Sequence, residues 1–223
     1  MNSETTQIPD QGYLKNTGKF KGLFSWIFST DHKRIGLLYL YTLMVFFLLA
    51  AFLGLLMRLE LISPGKTIMD AQTYNGIFTV HGIIMIFIIV IPGLSAVFGN
   101  FFLPIMIGAR DVAFPKLNLL SWWIYIAGGI LAILSQFIGG NAPDTGWTFY
   151  VPYSAESGSN VILALFSAFV LGFSSILTGL NFIVTIHRLR APGMKFFRMP
   201  LFPWSLYATA WIQVLATPVI GIT

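Results

Sequence analysis

Residues 73–87 read Thr73-Tyr74-Asn75-Gly76-Ile77-Phe78-Thr79-Val80-His81-Gly82-Ile83-Ile84-Met85-Ile86-Phe87. They open an apolar segment that continues to residue 107, a length that predicts a transmembrane helix rather than a core helix of a soluble domain. His81 lies inside this segment with no acidic neighbour. An ionisable side chain at membrane depth is costly and points to function. Neutral imidazole is also the commonest metal ligand, and it serves as an axial ligand to heme iron. A histidine that only hydrogen-bonds a neighbouring helix would look the same, so the residue alone leaves both readings open.

Composition agrees with a bilayer. Of 223 residues 56% are hydrophobic and 9% charged, with a mean hydropathy of +0.79, whereas soluble domains carry about 25% charged residues. The chain has no cysteine, which excludes disulfides, thiolate metal sites and a thiol nucleophile. The net charge of +5 is not arranged as a basic stripe interleaved with aromatics, so nucleic acid is not an expected partner. The first thirty residues are polar and basic, without the apolar core and small-residue cleavage site of a signal peptide. Residues 12–28 are expected in the cytoplasm or along its membrane face.

Working outward, five apolar segments stand out, at 35–57, 74–107, 117–138, 161–186 and 201–223. The fold class is therefore an all-α membrane protein, a polytopic transmembrane helix bundle. The chain divides into a cytoplasmic N-terminal segment, 1–34, and a membrane domain, 35–223. The second segment exceeds the roughly 20 residues that cross a bilayer, so it tilts or extends past the membrane. Pro92 falls within it; such a kink is tolerated where neighbours satisfy the freed carbonyl. The run 141–160, with Gly139-Gly140-Asn141-Ala142-Pro143 at its entrance, predicts a turn-rich cap between the third and fourth spans.

Charge sets the orientation. One side collects Lys15, Lys19, Lys21, Lys33, Arg34, Arg110, Lys116, Arg188, Arg190, Lys195 and Arg198, eleven of the thirteen Lys and Arg residues. The other side has Arg58 and Lys66 beside Glu60, Asp70, Asp144 and Glu156. The positive-inside rule makes the N-terminus cytoplasmic. The fifth segment stops in apolar sequence, which suggests a piece of a longer protein.

Depth sorts the polar residues into two groups. His81 is seven residues into its helix, roughly 10 Å below the outer surface at 1.5 Å per residue. Arg58 ends the first span on that side and could pair with an acidic group of a bound cofactor, or simply snorkel to the interface. Towards the cytoplasm lie Tyr39, Asn100, Asp111, Asn118, Ser174, Ser175 and Asn181. Hydroxyls and amides in this arrangement can hold a chain of waters rising from Asp111. The alternative is polar glue between helices, with Asp111 an ordinary loop carboxylate.

These residues stand in longer motifs. Thr30-Asp31-His32-Lys33-Arg34-Ile35-Gly36, Met57-Arg58-Leu59-Glu60, Tyr74 through His81-Gly82, and Gly99-Asn100 occur in that order. Ile107-Gly108-Ala109-Arg110-Asp111-Val112-Ala113-Phe114-Pro115, Gly146-Trp147, Ser174-Ser175-Ile176-Leu177 and Arg190-Ala191-Pro192-Gly193-Met194 follow. Together they resemble the N-terminal part of subunit I of a heme–copper terminal oxidase, of the A-type branch that includes cytochrome c oxidases.

That resemblance implies a bundle of twelve helices, about five of them here, that reduces oxygen to water and pumps protons. It makes His81 an axial ligand of a low-spin heme, expected to be heme A, with its partner ligand on a later helix. Arg58 would hydrogen-bond the heme periphery, and Tyr74 and Trp147 would lie against it. Asp111 would be the mouth of a proton pathway lined by Tyr39, Asn100, Asn118, Ser174, Ser175 and Asn181. Glu60 and Gly65 match positions that help bind a structural cation in some members. The high-spin heme, the copper and their ligands belong to parts of the family's chain beyond this sequence, so these 223 residues alone would not reduce oxygen. Implied partners are other oxidase subunits, including a subunit II with the donor-side copper, together with cytochrome c, oxygen and the lipid bilayer. The implied location is a bacterial cytoplasmic membrane. His32, before the first span on the cytoplasmic side, is a poor heme candidate, and His187 reads as a solvated helix cap.

The sequence departs from the family at Leu119, where an asparagine is usual, at Phe169, often histidine, and at Thr178, commonly glycine. These changes bear on the water file and on pumping more than on the fold. Ubiquinol oxidases of the same family place an arginine, an aspartate, a histidine and a glutamine where this chain has Leu49, Leu53, Thr73 and Gly76. None of these four supplies a group for a quinol headgroup, which favours cytochrome c as donor. A quinol-oxidising member is the alternative. A non-enzymatic multi-span scaffold would share the hydropathy but has no reason to hold His81, Arg58 and Asp111 in these motifs, and nitric-oxide reductase relatives generally lack the aspartate.

Overall fold

Proline and aspartate punctuate the chain before packing is considered. A computed structural model describes residues 20–222, so residues 1–19 of the expected N-terminal segment lie outside it, as does Thr223. A short α1 (Leu23–Ile27) precedes α2 (His32–Glu60). The Asp31 carboxylate caps α2, accepting from the backbone N–H groups of Lys33 at 2.9 Å and Arg34 at 3.0 Å. A cap of this kind is worth about 1 kcal/mol. Asp70 does the same for α3 (Ala71–Ile83), accepting from the Thr73 N–H at 2.7 Å.

The second span does not end with α3. It continues through two π-helical stretches, Ile84–Val90 and Gly93–Gly99, into α4 (Asn100–Ile107), for 37 residues in all. At 1.5 Å per residue that is roughly 55 Å, well beyond a 30 Å hydrocarbon core. Pro92 sits between the π stretches and has no N–H for the carbonyl of Ile88, four residues back. The Tyr125 hydroxyl donates to that carbonyl at 3.1 Å. Pro104 repeats the situation one helix segment later. It leaves the Asn100 carbonyl without its helical donor, and the His32 ring meets that oxygen through Nδ1 at 2.7 Å.

The span closes on Gly108, whose φ of 75° is the left-handed conformation that ends a helix at low cost for glycine. Next come α5 (Pro115–Leu134), a loop with the one-turn α6 (Tyr153–Glu156), α7 (Val161–Arg188) and α8 (Leu201–Ile222). All five expected segments are helical. Among the described residues, α2, the 71–107 span, α5 and α7 are long and apolar enough to cross a membrane on their own account. The fifth, α8, carries Ser205, Thr209, Gln213 and Thr217 among its apolar residues and packs along α7. The chain is a multi-pass helical membrane protein.

Antiparallel succession brings the start of α2, the α4–α5 junction and the α7–α8 junction to one end of the bundle. The Ala191 N–H donates to the Ile107 carbonyl at 2.8 Å, tying two of these junctions together. This is the Lys/Arg-rich end. Within the bundle α5 lies against α7 through adjacent glycines. A Cβ at Gly128 would fall 2.7 Å from Leu171 Cγ, and one at Gly129 would fall 2.3 Å from Phe46 Cζ of α2. Small residues at such contacts let membrane helices approach closely.

Candidate functional site

The imidazole of His81 reaches across to α2, where Nδ1 lies 2.9 Å from the carbonyl oxygen of Ala50. A carbonyl only accepts, so Nδ1 carries the proton and Nε2 keeps its lone pair. The contact needs Gly54 one turn further along α2, because a Cβ there would lie 3.2 Å from His81 Cε1. On the other flank Trp147 packs over Gly82, where a Cβ would meet the indole Cδ1 at 2.7 Å. Phe87 meets the same indole edge-on, with ring centroids 6.3 Å apart. An imidazole so fixed, with an unshared nitrogen pair, has the chemistry of a metal ligand held by its second ring nitrogen. Tyr74 is seven residues before His81 and shares its helix face. Arg58 is in the last turn of α2 and exposed.

Trp147 belongs to the loop after α5, which is drawn together around Asp144. That carboxylate accepts from Tyr153 Oη at 2.8 Å, Ser159 Oγ at 2.8 Å, Ser157 Oγ at 3.0 Å and Gln72 Nε2 at 3.3 Å. Burial pushes its pKa up, but these donors outweigh burial and hold it below the ordinary aspartate value. Glu60 organises the preceding loop in the same way, accepting from the N–H groups of Thr67, Ile68 and Met69 at 3.0, 2.7 and 3.0 Å. Its carboxylate therefore has a structural task, while Gly65 sits in open space with φ of 84°. Among the described residues no three His, Asp or Glu side chains gather as a metal cluster.

At the opposite, basic end the polar residues form a connected file. Asn118 Nδ2 donates to Asn100 Oδ1 at 2.6 Å, and Asn100 Nδ2 donates to the Ala96 carbonyl at 2.7 Å. The Ser121 hydroxyl donates to the Asn118 carbonyl at 2.7 Å. It also lies 2.9 Å from the Tyr39 hydroxyl, which is 3.4 Å from Ser174 Oγ. Ser174 in turn donates to the Ser121 carbonyl at 2.7 Å. Asn118 Oδ1 is a buried acceptor with no donor of good geometry among the described residues. Ser121, which the sequence reading missed, is the joint between the amide pair and the hydroxyls. Ser175 is half-buried beside this cluster.

Asp111 lies in the loop between α4 and α5, with Oδ1 accepting from the Val112 N–H at 2.7 Å. Burial raises its pKa above the ordinary value, opposed by the Val112 N–H and by His32, while the Asp31 charge adds to the rise. His32 thus connects two parts of the site: it faces Asp111 electrostatically and holds the Asn100 carbonyl. It is the first residue of α2 and is buried, not a polar residue ahead of the span. Its sequence signal was Pro104, four residues after Asn100. Asn181 has a different task from its neighbours in the file. Its Oδ1 accepts from the Phe114 N–H at 2.9 Å and its Nδ2 donates to the Phe114 carbonyl at 3.3 Å. With Thr185, whose Oγ1 accepts from the Ala113 N–H at 2.9 Å, it clamps the loop that carries Asp111. His187 is exposed at the end of α7, as expected of a cap, and its Nε2 lies 2.9 Å from the Tyr207 hydroxyl.

Comparison with known proteins gives one consistent answer. The family model described as cytochrome C and quinol oxidase polypeptide I matches residues 34–223. Cytochrome c oxidase subunit 1 of Cereibacter sphaeroides is 41% identical over 234 residues, covering 90% of this chain and 41% of that protein. A probable cytochrome c oxidase subunit 1-alpha of Streptomyces avermitilis is 42% identical, covering 88% of this chain and 34% of its own. A heme-copper oxidase subunit I+III of Aeropyrum pernix is 41% identical, covering 88% and 24%. The chain spans between a quarter and two fifths of the length of these curated relatives.

Proposed function

We propose, since this chain belongs to the cytochrome C and quinol oxidase polypeptide I family, that it forms the low-spin heme and proton-uptake part of a respiratory oxidase subunit. The full-length subunit would pass electrons from cytochrome c to a heme–copper center that reduces oxygen to water and pumps protons. The observation that carries this reading is the imidazole of His81, turned by the Ala50 carbonyl so that Nε2 is left to ligate.

A low-spin heme, when bound, supplies a reversible one-electron carrier; heme A is the type expected, and the high-spin heme and copper belong to the rest of the subunit. The chain's own residues hold and insulate it. His81 fixes position and orientation through its bond to α2, and Trp147 covers the adjacent Gly82. Arg58 at the helix end offers a cation to acidic groups of the cofactor's periphery. Tyr74 lies on the His81 face of the same helix.

Protons enter at Asp111. A carboxyl whose pKa is raised by burial holds its proton nearer to neutrality than a solvated aspartate, which suits uptake from water. The Asn100–Asn118 pair and the Ser121–Tyr39–Ser174 hydroxyls carry the polar path inward, and Asn118 Oδ1 offers an acceptor to a water. Asn181 serves this path by clamping the Asp111 loop. The basic end is the cytoplasmic side, in a bacterial cytoplasmic membrane, and a copper-bearing subunit II covers the other end. The aliphatic or small Leu49, Leu53, Thr73 and Gly76 favour cytochrome c over quinol as donor. A structural cation at Glu60 and Gly65 would share the Glu60 carboxylate with the three backbone N–H groups it already accepts.

The test is His81→Ala in the full-length subunit. The low-spin optical bands should disappear while the subunit still inserts; unchanged bands would refute the ligand assignment.

A further inference from the structure

The loop after α5 is laid as a strap along one side of α3. Gln72, Gly76, Thr79 and Gly82 recur there every three or four residues, and residues 142–147 lie against them. A Cβ at Gly76 would fall 2.8 Å from Ala142 Cβ, and the Gly146 N–H donates to Thr79 Oγ1 at 2.9 Å. Trp147 then covers Gly82. Asp144 is the charged residue within this strap. Its Oδ1 accepts from Ser157 and Ser159, and its Oδ2 accepts from Tyr153 and Gln72. A carboxylate offers about four lone-pair sites, so protein donors occupy all of them and leave no place for a cation. Three of these donors come from the far side of the loop and the fourth from the first turn of α3. One carboxylate thus gathers both sides of the loop and ties it to the helix that carries His81.

A local turn would explain the serine donors, but not the bond from Gln72 or the seat of Trp147 on α3. We propose that Asp144 is a positioning residue for the His81 site, a buckle that holds the strap on α3 so that Trp147 stays seated on Gly82 and covers the backbone beside the imidazole. The inference rests on the low-spin heme reading for its effect on that heme, and on the strap's own bonds for the rest. Asparagine cannot replace the buckle. Its amide nitrogen donates and does not accept, so at most two of the four donors keep their acceptor. A freed strap admits water next to His81, and water favours the more highly charged ferric state. Loss of the Asp144 negative charge by itself acts in the opposite direction, favouring the ferrous state. The sign of the potential change therefore separates a buckle from a bare charge.

The test is amide hydrogen exchange together with a redox titration of the full-length subunit in its oxidase complex. Wild type is compared with Asp144→Asn and Tyr153→Phe. The second variant removes one donor from Asp144 at constant charge, and it carries the test if Asp144→Asn fails to assemble. Exchange at the Gly146 N–H should quicken at least about ten-fold in Asp144→Asn, the effect of losing one hydrogen bond to a charged group, and less in Tyr153→Phe. The midpoint potential of the low-spin heme should fall in both. Wild-type exchange in the variants that assemble would overturn the proposal. So would faster exchange with an unchanged potential, the mark of a loop contact that does not reach the site. A raised potential in Asp144→Asn beside an unchanged one in Tyr153→Phe would also overturn it, by making Asp144 a charge and not a buckle. Low-spin bands in wild type are the control on the ligand reading; without them that reading fails, and exchange at Gly146 alone decides whether the buckle holds.

Discussion

A methyl group at position 54 probes the contact on which the heme assignment rests. The Cβ of Gly54→Ala would lie 3.2 Å from His81 Cε1 and 3.6 Å from Nδ1, a few tenths of an ångström inside comfortable contact. The imidazole must retreat from α2, and the 2.9 Å bond from Nδ1 to the Ala50 carbonyl lengthens with it. Loss of that bond altogether costs about 1 kcal/mol. Removing a partner that orients a metal-bound histidine lowers metal affinity by about ten- to a hundred-fold. Gly54→Ala should therefore keep the low-spin heme with shifted bands and faster loss on heating, and Gly54→Val, with two further carbons, should lose most of it. Helix propensity runs the other way, since alanine favours a helix over glycine by about 1 kcal/mol, so a general weakening of α2 would not explain the result. The assay is heme content per subunit and reduced-minus-oxidised spectra of the two full-length variants. Wild-type bands and retention in both would refute the reasoning that the Ala50 contact fixes the ligand.

Three further predictions concern Tyr125 and Asp111. Tyr125→Phe strips the donor from the Ile88 carbonyl that Pro92 leaves free, and should destabilise the bundle by about 1–3 kcal/mol. In a Pro92→Ala background the same change should cost measurably less in a denaturant titration; equal costs would dissociate the hydroxyl from the proline. Asp111→Asn should slow turnover and lower the protons pumped per electron in reconstituted vesicles, and wild-type stoichiometry would remove Asp111 from the path. Because burial raises the Asp111 pKa, its contribution to stability is present below the unfolded value and is lost as pH rises through the folded one. The infrared band of its protonated carboxyl, identified by its absence in Asp111→Asn, should accordingly persist above the pH at which free aspartate ionises.

What the sequence could reveal was depth and, through the motifs, family. The length of the second apolar run, the cations gathered on one side and the position of His81 follow from counting along a helix. The tolerance of Pro92 was legible as a requirement, that some neighbour must satisfy Ile88, but not as Tyr125, because the donor comes from 37 positions away. His32 shows the limit most clearly. In sequence it is one polar residue among several before an apolar run, and only the fold brings it to the carbonyl that Pro104 leaves free. Asn181 fits the file by residue type and depth, yet both ends of its amide are occupied by the backbone of Phe114. The close approach at Gly54 is likewise set by a partner across the bundle, the His81 ring, which no local pattern encodes.

The central claim is that this chain belongs to a heme-bearing subunit of a respiratory oxidase. Its most direct test is a reduced-minus-oxidised spectrum with pyridine hemochrome analysis of the full-length complex in native membranes. Heme A bands with a carbon-monoxide-reactive center are the expected result, and they favour cytochrome c as donor. Heme B or O alone would move the assignment to a quinol oxidase, and the absence of any heme would contradict it.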